Sequence, residues 1–274
     1  MNSADLLDLL SLAPVQRGLA AILVSGVGMP IVGVFIVGLD ILTARFALMH
    51  TALLGAAIAL LAGINPLAGA LTACAATGAA LVPLSRRPSG TSGAMGFVMT
   101  VSIAVAFLLL AAAGLPASAA MELLWGSVLA TRPADLVLLA ALNAAVALAY
   151  LALRRPLALV FFDREVALAS GVAVDRVLVV TLVLVALAIG AVMPVTGALL
   201  VDAVTLLPAL AARNLGGSLG ATVGLAVAFG LAGNLLGFGI ALALDQPVGP
   251  VLVLTAGTIT LGTFLLRRAR GGPA

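Results

Sequence analysis

Two ionisable side chains stand inside the apolar runs of this sequence: His50, its single histidine, and Asp202, one of 23 formally charged residues, 13 basic and 10 acidic. No other charged residue falls well inside a run. Imidazole and carboxylate are ordinary ligands for zinc or manganese, so the two at one depth, from two different helices, could coordinate a divalent ion. At about 1.5 Å per helical residue, His50 lies roughly 15 Å from Asp40 and Asp202 roughly 10 Å from Val195, near the middle of a span in each case. Ionisable groups are costly in hydrocarbon and mark functional positions by default. Two ligands are nevertheless only half of a closed site. The competing reading keeps Asp202 neutral or pairs it with Arg45 or a threonine such as Thr205, and gives His50 a carbonyl partner.

Other constellations point away from enzymatic chemistry. Gly216, Gly217, Ser218, Leu219 and Gly220 spell G-x-S-x-G, but a nucleophile elbow needs a strand before it and a base beside it, whereas this stretch joins two apolar helices. A glycine-rich helix connection is the better reading. All 13 basic residues are arginine, which excludes a Schiff base, a lysine general base and a Walker A phosphate loop. Cys74 is the single cysteine, so neither a disulfide nor a thiolate cluster forms within the chain. The segment from Arg154 to Arg176 differs in kind. Asp163 is suited to cap a short helix, Glu165 to its first turn and Gly171 to its end, and an exposed helix between spans can serve as a lever for a partner protein or lie idle at the interface.

These residues need elements to hold them, and composition says which. Of 274 residues, 64% are hydrophobic and 8% charged, with a mean hydropathy of +1.31. That leaves too little polar surface for a water-soluble body. A bilayer core about 30 Å thick takes roughly 20 apolar residues per helix. The chain divides into about nine such runs, near 18–39, 46–64, 66–84, 96–115, 136–153, 177–193, 195–212, 218–243 and 248–266. The expectation is an all-α polytopic membrane protein of one transmembrane domain over 1–274, with a cytoplasmic segment near 154–176. Asp5 and Asp8 precede Arg17, the wrong order for a secretory signal, so the N-terminus is taken as mature sequence.

Orientation follows from arginine. With 154–176 in the cytoplasm, Arg45, Arg86, Arg87, Arg154, Arg155, Arg164, Arg176, Arg213, Arg267, Arg268 and Arg270 lie inside, and only Arg17 and Arg132 outside. The N-terminus is then external, the C-terminus cytoplasmic, and 116–135, with Glu122, Trp125, Arg132 and Asp135, an outer loop. The net charge of +3 fits arginines facing anionic lipid, and a nucleic-acid partner is not expected. Gly216, Gly220, Gly224, Ala228, Gly233 and Gly237 make a small-residue stripe for close helix packing, within the chain or between copies.

Five blocks, in order, resemble the permease subunits of ATP-binding-cassette importers for metal ions of the zinc and manganese type. They are His50-Thr51-Ala52-Leu53-Leu54-Gly55; Leu124-Trp125-Gly126-Ser127-Val128-Leu129 with Asp135-Leu136; and Phe162-Asp163-x-Glu165-x-Ala167-x-x-x-Gly171. Gly197-Ala198-Leu199-Leu200-Val201 with Leu206-x-Pro208-Ala209 and Ala212, and Leu244-Asp245-x-Pro247-x-Gly249, complete the set. The resemblance implies a homodimeric permease of the bacterial plasma membrane and two copies of a separate cytoplasmic ATPase. It further implies an extracytoplasmic metal-binding protein, a divalent metal (zinc, manganese or iron) as substrate and no cofactor on this chain. Asp163, Glu165, Ala167 and Gly171 would shape the helix that couples to the ATPase, and His50 and Asp202 would line the path.

The departures from the family are specific. Its permeases carry Gly-Asp four to five residues before the histidine, where this chain has Arg45 and Phe46, and a basic pair where it has Leu39-Asp40. One metal ligand is thereby missing, and Asp202, at a position small or neutral in relatives, is the candidate replacement. Three alternatives remain: a permease of this type for another small substrate, a secondary transporter needing no ATPase, and an intramembrane hydrolase built on Ser218.

Overall fold

The structure, a computed structural model, describes residues 11–84, 91–114 and 128–271. Among these there is no strand. The helices are α1 (Ala13–Gly38), α2 (Leu42–Leu61), α3 (Pro66–Leu84), α4 (Thr91–Ala112), α5 (Pro133–Phe162), α6 (Arg164–Ala169), α7 (Val174–Thr196), α8 (Ala198–Leu215), α9 (Leu219–Ala243) and α10 (Val248–Ala269), with a 3-10 turn at Val128–Ala130. Each of the nine expected runs coincides with one helix, and the tenth, α6, is the short helix expected after Asp163. By length and composition seven of them, α1, α2, α4, α5, α7, α9 and α10, are able to cross a membrane. The apolar stretch of α3 is shorter, Pro66–Ala80, and α8 carries Asp202, Pro208 and Arg213 within its 18 residues.

Two boundaries differ from expectation in ways that matter. The α2 helix begins at Leu42 rather than near 46, so Arg45 belongs to its first turn and not to a loop. The α5 helix continues beyond 153 through Arg154, Arg155 and Pro156 to Phe162, leaving a shorter connection before α7. Its extension is anchored by Leu157 and Val160, both buried, while Arg154 and Arg155 reach outward along its exposed side. Asp135 opens the same helix: its carboxylate accepts from the Arg132 backbone N–H at 3.0 Å, with Pro133 at the first helical position.

Contacts divide the chain into two compact units. The first comprises Met1–Val37, Ser127–Leu148 and Leu199–Ala274. Its centre is α1, whose apolar stretch is 72% buried, whereas that of α10 is only 11% buried and turns its side chains outward. Glycines let other backbones approach α1. A Cβ on Gly33 would strike the Thr205 carbonyl, one on Gly28 would strike Asn143, and Gly230 leaves room for the Pro30 ring. Asn234 is buried and donates to the Ile22 carbonyl at 2.7 Å, so the amide is not left bare in an apolar interior.

The second unit comprises Gly38–Gly126 and Ala149–Ala198. Here α2 is central, packed on α3, α4 and α7. Gly55 and Gly69 face each other so closely that a Cβ on either would meet the other's carbonyl oxygen. Cys74 is buried beside this crossing and donates to the Leu48 carbonyl at 3.3 Å. The expected stripe packs over part of its length: Gly233 and Gly237 lie against α10, Gly237 pressed on Leu252, whereas Gly224 faces open space and Gly216, ahead of α9, lies against Thr222.

Candidate metal path and coupling segment

His50 lies two turns into α2, half-buried, with its Nδ1 2.6 Å from the Phe46 carbonyl oxygen. A carbonyl only accepts, so Nδ1 carries the proton and donates it, and the lone pair is left on Nε2. The carbonyl partner of the competing reading is therefore present, and a carbonyl on the far ring nitrogen is also what holds a metal-binding histidine in one tautomer. One turn earlier Arg45 is 1% exposed and its guanidinium lies 4.3 Å from the centroid of the Phe46 ring, a cation–π arrangement. Hydropathy placed Arg45 just outside a span. The structure places it inside a helix and buried, so Asp202 is not the only charged residue held within the apolar framework. No sequence signal distinguishes such an arginine from a loop arginine; the earlier start of α2 does.

Asp202 belongs to the other unit, on α8, where it is half-buried. The Thr205 hydroxyl, offered above as its partner, makes no hydrogen bond among the described residues. Three residues on, α8 accommodates Pro208, and Arg213 stands in its last turn. Among the described residues no three His, Cys, Asp or Glu side chains come together in a group able to hold a metal.

The candidate coupling segment is built almost wholly from its own residues. Asp163 is the N-cap of α6, in extended backbone, and its Oδ1 accepts from the N–H of Glu165 at 2.7 Å and of Val166 at 3.1 Å. Glu165 follows in the first turn, where the helix dipole favours an acid. Ala167 is fully buried, the one side chain of the six that anchors α6 inward. Gly171 ends the helix at φ +76°, with its N–H bonded to the Leu168 carbonyl and that of Val172 to the Ala167 carbonyl, each at 3.0 Å. That pair of bonds is a Schellman closure, which needs a left-handed residue at this point. Arg164 and Asp175, both about half exposed, pair at 3.5 Å across the turn into α7. Phe162, Val166 and Leu168 are left outward, Phe162 82% exposed.

Ser218 has another employment. It is the N-cap of α9, its Oγ accepting from the Ala221 N–H at 3.2 Å, and helix α8 rather than a strand precedes it. The G-x-S-x-G sequence is thus a capped helix connection. Arg86, Arg87, Glu122, Trp125 and the Leu124–Ser127 part of the second family block lie outside the described residues. Its remainder, Val128 and Leu129, forms the 3-10 turn, with Gly18 of α1 close against both.

Comparison with known proteins covers nearly the whole chain. The sequence model of the ABC 3 transport family matches residues 11–267. The chain is 26% identical over 265 residues to the manganese transport system membrane protein MntC of Halalkalibacterium halodurans, spanning 96% of this chain and 91% of that protein. It is likewise 26% identical over 253 residues to the manganese import system permease protein ScaB of Streptococcus parasanguinis, spanning 92% and 90%. In three dimensions it is similar to a chain of the solved structure of PsaBC from Streptococcus pneumoniae in complex with Fab. There the TM-score is 0.83 at 25% sequence identity, and 95% of each chain is covered.

Proposed function

Because the chain belongs to the ABC 3 transport family, and is therefore a multi-pass transport permease of the bacterial plasma membrane and not an enzyme, we propose that the divalent metal it imports is manganese. The observation that carries this cargo is the pair of manganese permeases aligned with 96% and 92% of the chain. ATP is hydrolysed by a separate cytoplasmic ATPase, and an extracytoplasmic metal-binding protein delivers the ion. Residues 1–274 act as one permease domain, two copies of which form a homodimer that alternates between outward and inward access.

Two side chains of this domain are the ligands we assign to the path. His50 offers Nε2 because Nδ1 is held by the Phe46 carbonyl. Asp202 offers the carboxylate that the altered turn at Arg45 and Phe46 no longer supplies. Orientation rests on arginine: taking buried Arg45 out of the eleven assigned to the cytoplasm leaves ten there against Arg17 and Arg132 outside, still a strong bias toward a cytoplasmic C-terminus. The α6 segment, capped at Asp163 and closed at Gly171, is then the cytoplasmic lever that meets the ATPase, with outward Phe162, Val166 and Leu168 as its apolar contact.

The test is ATP-dependent uptake of manganese, zinc and iron, side by side, by the permease reconstituted with its ATPase and binding protein. Manganese uptake that exceeds the others and falls about tenfold or more with His50→Ala and with Asp202→Ala is expected for path ligands. Uptake unchanged by both substitutions, with the complex assembled, would remove the two residues from the path. Preference for zinc would transfer the cargo assignment, and uptake driven by an ion gradient without the ATPase would favour a secondary transporter.

A further inference from the structure

Within the first unit, α8 and α10 end side by side in arginine, with a groove of about 660 Å³ between them. This volume lies in the range of small-molecule pockets, about 300–1,000 Å³. The apolar part of its lining is Leu207 and Leu210 from α8 and Leu261 and Phe264 from α10, with Asn214 and Thr260 between them as polar groups. At the helix C-termini Arg213 and Arg267 close one end. No acid is among the lining residues. The floor is fixed by two hydrogen bonds between the helices, Thr260 Oγ1 to the Leu207 carbonyl at 3.0 Å and Asn214 Nδ2 to Thr263 Oγ1 at 3.1 Å.

The outer side of this groove faces what surrounds the protein. Leu261 is 58% exposed, and Leu254, Leu265 and Leu266 more than half exposed, on the helix that the unit buries least. Basic residues in a last helical turn complement the helix dipole, which accounts for either arginine alone. It does not account for an apolar groove of ligand size running into both. Two guanidinium groups above an apolar trough have the form of a phosphate headgroup site with an acyl chain below, and basic pockets between spans take anionic lipid for this reason. A second copy fits less well. An isologous contact centred here would bring Arg213 and Arg267 toward their own counterparts, like charge against like.

We infer that this groove is a binding site for an anionic phospholipid, such as phosphatidylglycerol, from the leaflet on the arginine side, its phosphate between Arg213 and Arg267 and one acyl chain along Leu207, Leu210, Leu261 and Phe264. The assignment holds for either orientation of the chain in the bilayer and is independent of the cargo.

Native mass spectrometry of the full-length chain, titrated with phosphatidylglycerol or phosphatidylcholine, measures it. Two arginines near a headgroup favour the anionic lipid by about 30-fold. The Arg213→Gln/Arg267→Gln double variant is expected to bring the two lipids to near parity, while Arg213→Lys/Arg267→Lys keeps most of the preference. Gly257 lines the groove with nothing within 4 Å of a Cβ built on it, so Gly257→Leu starts its side chain into open space, narrows the trough and lowers retention of both lipids. The assignment is overturned by equal retention of both lipids on the parent chain, or by a preference that survives the glutamine pair. It is overturned equally by full competition from millimolar inorganic phosphate with Gly257→Leu silent, which would reveal a free-anion site, and by lipid exclusion from a dimeric species that Gly257→Leu dissociates.

Discussion

The candidate coupling segment matches a family block, and the first two turns of α2 depart from the family just before the block that begins at His50, yet the larger difference is in how the two are made. In the segment each boundary is supplied by a residue inside it: the Asp163 carboxylate starts α6 and left-handed Gly171 stops it. In α2 nothing local marks the start. Its N-cap, Ile41, makes no side-chain cap bond, and Arg45 is buried through packing on neighbouring helices. The exposed segment carries its own instructions, whereas the start of α2 takes its shape from the helices around it.

Breaking the local half gives the largest effect. Glu165→Arg with Gly171→Pro reverses the first-turn charge and imposes φ near −65° where +76° is observed, so the closure cannot form. ATP hydrolysis stimulated by the permease is expected to fall at least about tenfold, and the ATPase to be lost from pull-downs, with membrane abundance preserved. An intact, stimulated complex would show that α6 is an interfacial helix without a partner.

The other half is sharpened by returning a family residue. Phe46 and His50 are one turn apart on the same face of α2, so Phe46→Asp sets a carboxylate beside the imidazole. If Asp202 supplies the missing ligand, manganese uptake lost in Asp202→Ala is regained in large part by adding Phe46→Asp, to within about tenfold of the parent. Absence of rescue, with both variants present in the membrane at parent levels, would mean that Asp202 does not act as that ligand.

Packing itself is testable at the α2–α3 crossing. Gly55→Leu forces a side chain into the Gly69 carbonyl and is expected to cost about 3 kcal/mol of stability. Uptake should fall although His50 is untouched, because the helix that presents it has shifted. Unchanged melting would mean that the two helices separate freely. Asp163→Ala is milder, about 1 kcal/mol from one lost cap, and should weaken stimulation a few-fold without abolishing it.

What could be read in advance follows the same division. Nine runs of apolar residues coincide with helices because hydropathy integrates over 20 residues and tolerates error at the ends. The α6 helix was legible because its signals are adjacent in sequence, as was the dismissal of Ser218 as a nucleophile, now seen capping α9. Arg45 was misplaced because a shift of a few residues in one helix start turns a loop charge into a buried one, and such shifts are set by tertiary contacts. The small-residue stripe was legible in part: Gly233 and Gly237 do receive α10 within the chain, while Gly224 meets nothing, because spacing shows that small residues share a face, not how far along it another helix lies. Tight approaches outside the stripe occur at Gly55 and Gly69, between consecutive helices, and at Gly28, Gly33 and Gly230, where the partner comes from a distant part of the chain.

The smallest effect expected comes from a closure that resembles the end of α6 but uses the wrong residue for comfort. After α9, the Gln246 N–H bonds the Ala241 carbonyl at 2.9 Å and that of Asp245 the Leu242 carbonyl at 3.4 Å, with Asp245 itself at φ +52°. Gly171 holds the equivalent place after α6 without the steric penalty that a Cβ brings, about 1–2 kcal/mol. Replacing Asp245 by glycine removes that penalty but frees the unfolded chain by about 0.5–1 kcal/mol, so Asp245→Gly should stabilise the protein by about 0.5 kcal/mol in thermal or denaturant unfolding. If uptake falls while stability rises, the carboxylate is retained there for transport, and the strained turn belongs with Asp202 among residues kept for what they carry. If uptake is unchanged, the closure after α9 is only a poorer version of the one after α6.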